Sequence, residues 1–417
     1  MARSTARRLL VVGGSIAGLM AALRFRDLGW EVTVFERTAG PMEGRGAGIT
    51  ILPGLVEGFR AVGVPWTEAD IGVGLPARLA IDREGRVVAR RDFHQSMTSW
   101  SRLYEGLRPR LPEACLRSGV TVEAVEQSPG QVTAVLADGS RVHGDLLVAA
   151  DGLRSTLRRQ HLPDLHPHYA GYVAWRCLAD ETRLDPALFE PLWRHYAVCV
   201  PPGEQGIGYP VPGPGPGHSL VPGERQYNVV WYHPVDAATG LVRLSTDAQG
   251  VHHPQGIPPA LVSPAVRREM VERAAAVLAP QFAHAVARAR MHFFQPIVDV
   301  APPRLVFGRM ALVGDAAFVV RPHVAMGVPK GAGDVLELAR ATEDCDGDLD
   351  AALARFEDRR LRVGQAMVAR ARHLGSYMEA QSGDAAARAA AEAARDPETV
   401  MMETAAPLDY ERLAGLA

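Results

Sequence analysis

Six residues near the start of the chain, Gly13-Gly14-Ser15-Ile16-Ala17-Gly18, have the makings of an anion cradle. Backbone N–H groups at a helix N-terminus hold a pyrophosphate when the chain before them turns tightly. Gly13 permits such a turn and Gly18 lets helix and strand pack closely, while Ser15 replaces the middle glycine of G-x-G-x-x-G. Glu36 follows Gly13 by 23 positions, where a carboxylate accepts hydrogen bonds from a ribose. Two more turns carry an acid directly after an apolar run: Asp151-Gly152-Leu153-Arg154-Ser155-Thr156-Leu157-Arg158 and Gly314-Asp315-Ala316-Ala317. Either acid alone reads equally well as a helix cap. In this order, behind the glycine turn, the three form a much more specific set.

These groups need strands that end where they begin. Leu9-Leu10-Val11-Val12 is an apolar, branched run of the kind that makes a buried parallel strand. Helical composition follows from Ile16 to Leu28, Gly29 is a stop, and Glu31–Glu36 is a second strand, completing the start of a βαβ unit. Leu146–Ala150 and Ala311–Val313 are further buried strands ahead of the two acidic turns. Residues 78–91 read as a hairpin about Glu84-Gly85, outside that core. A helix is expected over Ser101–Ser118, then strands at Val120–Val125 and Val132–Leu136 joined by Pro129-Gly130. From about Pro163 to Pro303, short runs rich in aromatic and β-branched residues predict an antiparallel sheet, broken by a loop from Pro210 to Pro222 and followed by a helix near Pro264–Leu278. Sequence from Gly331 to about Arg395 is helical in composition. Its end either packs on the core or pairs with a second copy as a homodimer.

Composition narrows the partners. Lys+Arg number 45 against 47 Asp+Glu, a net charge of −2, which asks for neither nucleic acid nor an anionic membrane. Four cysteines, Cys115, Cys177, Cys199 and Cys345, lie far apart and read as reduced thiols. The basic N-terminus reaches Gly13-Gly14 too soon for a secretion signal, so a cytoplasmic protein is expected. His161, His166, His168 and His252-His253 stand in Pro-rich loop sequence without supporting Cys or carboxylates, and no metal is expected.

With its three turns in order, the chain resembles the group A FAD-dependent aromatic hydroxylases, the para-hydroxybenzoate hydroxylase type, up to about residue 365. Tyr172-Val173-Ala174-Trp175-Arg176, Gly208-Tyr209-Pro210-Val211-Pro212-Gly213, Tyr227–Tyr232, Phe293–Ile297 and Arg321-Pro322-His323-Val324 are similar to segments of the 2,6-dihydroxypyridine 3-monooxygenase branch. The resemblance implies an α/β fold: a Rossmann-type FAD-binding domain (1–75, 96–162 and 304–365), a mainly antiparallel β-sheet substrate domain (76–95 and 163–303) and C-terminal helices (366–417). It implies that Gly13, Ser15, Gly18 and Glu36, with Ile16, Ala17 and Arg37 beside them, hold the ADP half of FAD. Asp151 would stand at the cofactor and the reduced nicotinamide, Asp315 at the ribityl hydroxyls, and Gly327 and Val328 at the flavin ring. Arg45 and Arg102 also occupy family positions near the cofactor.

The implied reaction is hydroxylation of a small electron-rich phenol- or hydroxypyridine-like ring with NADH or NADPH and O2, through a flavin C4a-hydroperoxide. A ring hydroxyl reacts faster as its anion, which asks for a base or a cation nearby. His323 is the first candidate base, because its ordinary pKa lies near neutrality. Arg321 and Arg176 are candidates to stabilise anionic oxygen. Tyr209, Trp231, Tyr232 and Pro322 are candidates for the pocket wall, although strand alternation sends Trp231 and Tyr232 to opposite faces. Two departures bear on flavin reactivity. Phe318 stands where many relatives have histidine, and Pro329 lacks an N–H where the loop would face the flavin, with Gly331 and Gly333 loosening the helix after it. They motivate an alternative, a flavin-binding oxidase or non-oxygenating flavoprotein. An NAD-dependent dehydrogenase would leave Asp151 and Asp315 unexplained.

Overall fold

A computed structural model describes residues 6–40, 42, 48–215, 217–254, 256–381 and 383–416. Three sheets organise these residues, the smallest formed by Val122–Ser128, Gln131–Leu136 and Arg141–Gly144, and the two larger ones position the site. The first has six strands in the order Val306–Phe307, Met310–Leu312, Leu146–Ala149, Arg8–Val12, Glu31–Glu36, Leu116–Ser118, all parallel except the first. Leu10 pairs with both Leu147 and Thr33, so the glycine turn leaves the centre of the sheet. Gly13 N donates to Phe35 O (2.8 Å), Ala150 N to Val12 O (2.8 Å) and Val313 N to Ala149 O (3.0 Å). All three turns therefore begin at the carboxyl edge of adjacent parallel strands, where open α/β sheets bind ligands.

The second sheet has eight strands in the order Met291–Asp299, His168–Asp180, Gln226–Pro234, Gln205–Val211, His195–Cys199, Val73–Ile81, Val87–Ser99, Gly48–Ile51. Its two faces follow the period of two along each strand. Trp175, Trp231, Tyr227 and Phe294 enter a core with Phe282 and Met270 of the helices Pro280–Arg288 and Pro264–Val277. Their neighbours Tyr172, Ala174, Val230, Tyr232, Ile207 and Tyr209 enter the opposite core, with Tyr196 and Met401.

Some expected elements differ. The helix expected over Ser101–Ser118 covers only Trp100–Leu107. Pro109 and Pro112 turn the chain into short 3-10 segments, and Leu116–Ser118 joins the first sheet as its edge. Pro210 lies in a strand opposite Tyr227, so the loop starts after Val211. One helix runs from Leu349 to Ala380, and the division expected at residue 365 falls inside it. Gly364 sits there because the ring of Phe318 lies where a Cβ would go. The chain's end packs on its own core, Met401 being fully buried. No helix among the described residues is long and apolar enough to cross a membrane.

Candidate active site

The glycine turn is built by close approach. Gly13 has φ 108°, and a Cβ there would collide with the Ala150 carbonyl. A Cβ on Gly18 would strike the Gly13 carbonyl, so the helix Ile16–Asp27 can lie on its strand only with glycine at that place. Ser15, the N-cap, makes no capping hydrogen bond with its side chain. Glu36 accepts from Gly14 N and Thr38 N, both at 2.8 Å, which fixes its carboxylate against the turn. Gly13, Ser15, Glu36, Arg37, Asp151 and Arg154 line a cavity of about 310 Å³. Ile16 is buried in the core and Ala17 packs toward Gly314 and Gly331, so these two offer the turn only first-turn amides, which lack helical acceptors.

The acidic turns are stitched together by a residue that motif reading did not single out. Arg158 is buried and donates to the carbonyls of Leu153 (2.5 Å), Asp315 (3.1 Å) and Ala316 (2.9 Å). Its signal was present as the last residue of the Asp151 motif, but only the fold reveals what it reaches. Asp151 caps the next helix through Thr156 N (2.7 Å) and Leu157 N (3.3 Å), and its carboxyl is buried. Burial pushes its carboxyl above the usual range despite hydrogen bonds that favour the anion. Asp315 is half exposed, with Lys330 Nζ at 3.5 Å. Gly314 N donates to Asp334 Oδ2 (2.9 Å), and Arg360 Nε holds the other oxygen of Asp334 (2.7 Å).

A second cavity, of about 260 Å³, lies between this edge and the eight-stranded sheet. Leu153, Asp315, Pro322, Gly327 and Val328 line one side. Arg176, Tyr196, Tyr209, Tyr232 and Gln295 line the other. Arg176 Nε donates to Gln295 Oε1 (3.2 Å), and the Tyr196 and Tyr209 rings stack at 5.5 Å. Burial pushes all three phenols above the ordinary tyrosine value, so they stay neutral hydrogen-bonding groups. Thr404 and Ala405 from the chain's end complete the wall, a contribution that nothing in local sequence announced.

Several expected site residues lie elsewhere. His323 is buried, outside the cavity lining, with Nε2 2.8 Å from the Tyr172 hydroxyl and its ring 4.6 Å from that of Tyr232. Burial, aided by Arg321, pushes its pKa down to about 3, which keeps the ring neutral in this structure. Arg321 is locked in a buried cluster with Asp299 (3.0 Å) and Glu379 (2.8 Å) and has no side chain to offer a substrate. Trp231 faces the helices, its Nε1 donating to Glu204 (2.6 Å). Arg102 lines neither cavity. It donates to Asp70 O (2.9 Å) and lies over Trp66. Arg45 lies outside the described residues.

Pro329 also reads differently in the fold. It is the third residue of the helix Gly327–Asp344, in the first turn, where a missing N–H breaks no helical bond. Its ring lines another cavity with Leu336, Val363 and Met367, while Gly327 and Val328 face the ring cavity. Gly331 and Gly333 lie where Ala17 and the Arg360 guanidinium approach, so packing accounts for both.

The two cavities meet at consecutive residues, Gly152 in the first and Leu153 in the second. A glycine cradle with a carboxylate fixed beside it, next to a tyrosine-lined pocket, suits a dinucleotide such as FAD. Fold and site together define an FAD-dependent oxidoreductase. A family model described as FAD binding domain-like matches residues 169–299. The chain is 31% identical over 388 residues to 2,6-dihydroxypyridine 3-monooxygenase of Paenarthrobacter nicotinovorans, covering 89% of this chain and 94% of that one. It is 28% identical to aurachin C monooxygenase/isomerase of Stigmatella aurantiaca, over 91% and 90% of the two chains. The solved structure of 2,6-dihydroxypyridine-3-hydroxylase from Arthrobacter nicotinovorans matches with TM-score 0.83 at 28% identity, over 90% of this chain and 93% of that one. HpxO of Klebsiella pneumoniae, complexed with FAD and uric acid, shares the fold at TM-score 0.76 and 23% identity, over 98% and 95%. The chain belongs to the FAD-dependent aromatic-ring monooxygenases.

Proposed function

We propose that this enzyme hydroxylates a single-ring phenol or hydroxypyridine bound as its oxyanion against Arg176, with NADH or NADPH as electron donor. The observation that carries the reading is Arg176 itself. It is a guanidinium on the cavity wall, among three neutral tyrosines, and among the described residues its hydrogen bond goes to the amide oxygen of Gln295 and not to a carboxylate. A buried or half-buried cation of this kind favours an anionic ligand.

Gly13, Ser15, Glu36 and Arg37 would hold the adenosine diphosphate half of FAD, Asp151 and Asp315 its middle, and Gly327 and Val328 the ring. When bound, FAD would carry the reducing equivalents from NAD(P)H to O2 that ring hydroxylation needs. Arg176 stabilises the ring oxyanion, which makes the adjacent carbon electron-rich. Tyr209 and Tyr232 orient the ring and Pro322 bounds it from the loop side. The apolar remainder, Ile207, Val230 and Ile297, keeps water away. Four unpaired cysteines suit work in the cytoplasm.

The test is NAD(P)H oxidation by the flavin-loaded protein against hydroxypyridines and phenols, with product identified by mass. Substrate-stimulated oxidation with one oxygen atom added per NAD(P)H supports the reading. NAD(P)H consumption that releases only hydrogen peroxide with every ring tried would refute it.

A further inference from the structure

Arg78 stands on the strand Val73–Ile81 with no solvent exposure. Its guanidinium donates to the carbonyls of Met401 (2.8 Å), Met402 (3.3 Å), Thr404 (2.7 Å) and Ala405 (3.2 Å), and to Gln95 Oε1 (2.7 Å). It lies over the rings of Phe93 (4.1 Å) and Tyr196 (4.9 Å). No described carboxylate acts on it, and burial alone pulls its pKa down. Burying a guanidinium without an acid is unfavourable unless every donor is used. Here four of the six hydrogen bonds go to one short stretch of the chain's end, and Gln95 Oε1 takes the other two.

That stretch forms part of the cavity wall through Thr404 and Ala405. The short helix Pro397–Glu403 ends at Thr404, and Ala405 takes the left-handed conformation at φ 54°. Thr404 Oγ1 donates to Val400 O (2.7 Å) and accepts from Gln205 Nε2 (3.2 Å). Ala405 N donates to His323 O (2.7 Å). The strap is therefore tied to the strand bearing Tyr209 and to the loop bearing Pro322, both of which line the cavity.

We infer that Thr404-Ala405 is the specificity-determining wall of the ring pocket, and that Arg78 is the positioning residue that holds it there. The inference rests on the aromatic-substrate reading above. The Ala405 methyl limits the size of a ring substituent, and Arg78 sets its place without touching the substrate.

Two arms test it in the flavin-loaded enzyme. In the first, hydrogen exchange is followed in Arg78→Met and Arg78→Lys. Peptides covering 400–406 should exchange about tenfold faster or more in Arg78→Met, and less so in Arg78→Lys, with the strand Gln226–Pro234 unchanged. Unchanged exchange over 400–406, or equal loosening of both regions, would overturn the positioning role. In the second arm, Ala405→Gly removes the methyl and relieves the left-handed backbone, so the fold is kept. The ratio of kcat/KM for a methyl-bearing ring over the parent ring should rise about tenfold. An unchanged ratio would overturn the wall. Failure of the wild type on every ring would count against the aromatic reading, and the exchange arm then judges the strap by itself.

Discussion

Replacing His323 by glutamine tests whether this residue is a buried neutral group or a titrating base. In the fold its pKa is pushed from 6.5 down to about 3 by burial and nearby arginines. An unfolded chain takes up a proton near pH 6.5 that the folded chain refuses, so stability from this site is complete above that value and lost as pH falls. At pH 5.5 the unfolded histidine is about ten to one protonated, which favours unfolding by RT ln 11, about 1.4 kcal/mol. At pH 7.5 the same effect is below about 0.1 kcal/mol. His233, His161 and His292 are also depressed by burial and add to the wild-type loss, so the variant must be compared with the wild type. Urea unfolding of the flavin-loaded proteins at pH 7.5 and 5.5 should show His323→Gln losing about 1.4 kcal/mol less than wild type. Glutamine keeps a hydrogen-bonding partner for the Tyr172 hydroxyl, and the backbone bond from Ala405 is untouched. Equal losses in the two proteins would show that His323 protonates freely and would refute the assignment. A variant whose pH–rate profile lost its acidic limb would restore the catalytic base.

Other residues give sharper functional readouts. Arg176→Met should raise KM for the oxyanion about tenfold to a hundredfold, as expected for a lost charged hydrogen bond, while FAD affinity measured by fluorescence titration stays the same. Glu36→Gln should weaken FAD about tenfold or more in that titration, since the charge that fixes Gly14 N and that would face the ribose is gone. Gly18→Ala should destabilise the apoprotein by about 1–3 kcal/mol, read from the urea midpoint, because the new Cβ must push the helix off the Gly13 carbonyl.

What was legible in the sequence was whatever the chain encodes locally. The glycine turn, Glu36 and the two acidic turns follow from strand ends and backbone constraints, and the parallel sheet places all of them at one edge. The alternation that separates Trp231 from Tyr232 is likewise local, and it correctly sends one to the helix-covered core and the other to the cavity. Residues whose role depends on a distant partner were not legible. His323 has the right type and a place on a loop, yet Tyr172 and Tyr232 from two strands of the other sheet enclose it. Arg321 likewise meets Asp299 and Glu379 only after folding. Pro329 shows the same gap in reverse: its missing donor matters in a loop and not in the first turn of a helix. Arg78 is the extreme case, 323 positions from Met401 and in no motif. A buried guanidinium satisfied by distant main-chain carbonyls leaves no periodicity or spacing to read, so a pocket wall supplied by the end of the chain becomes visible only when the carbonyls are counted in three dimensions.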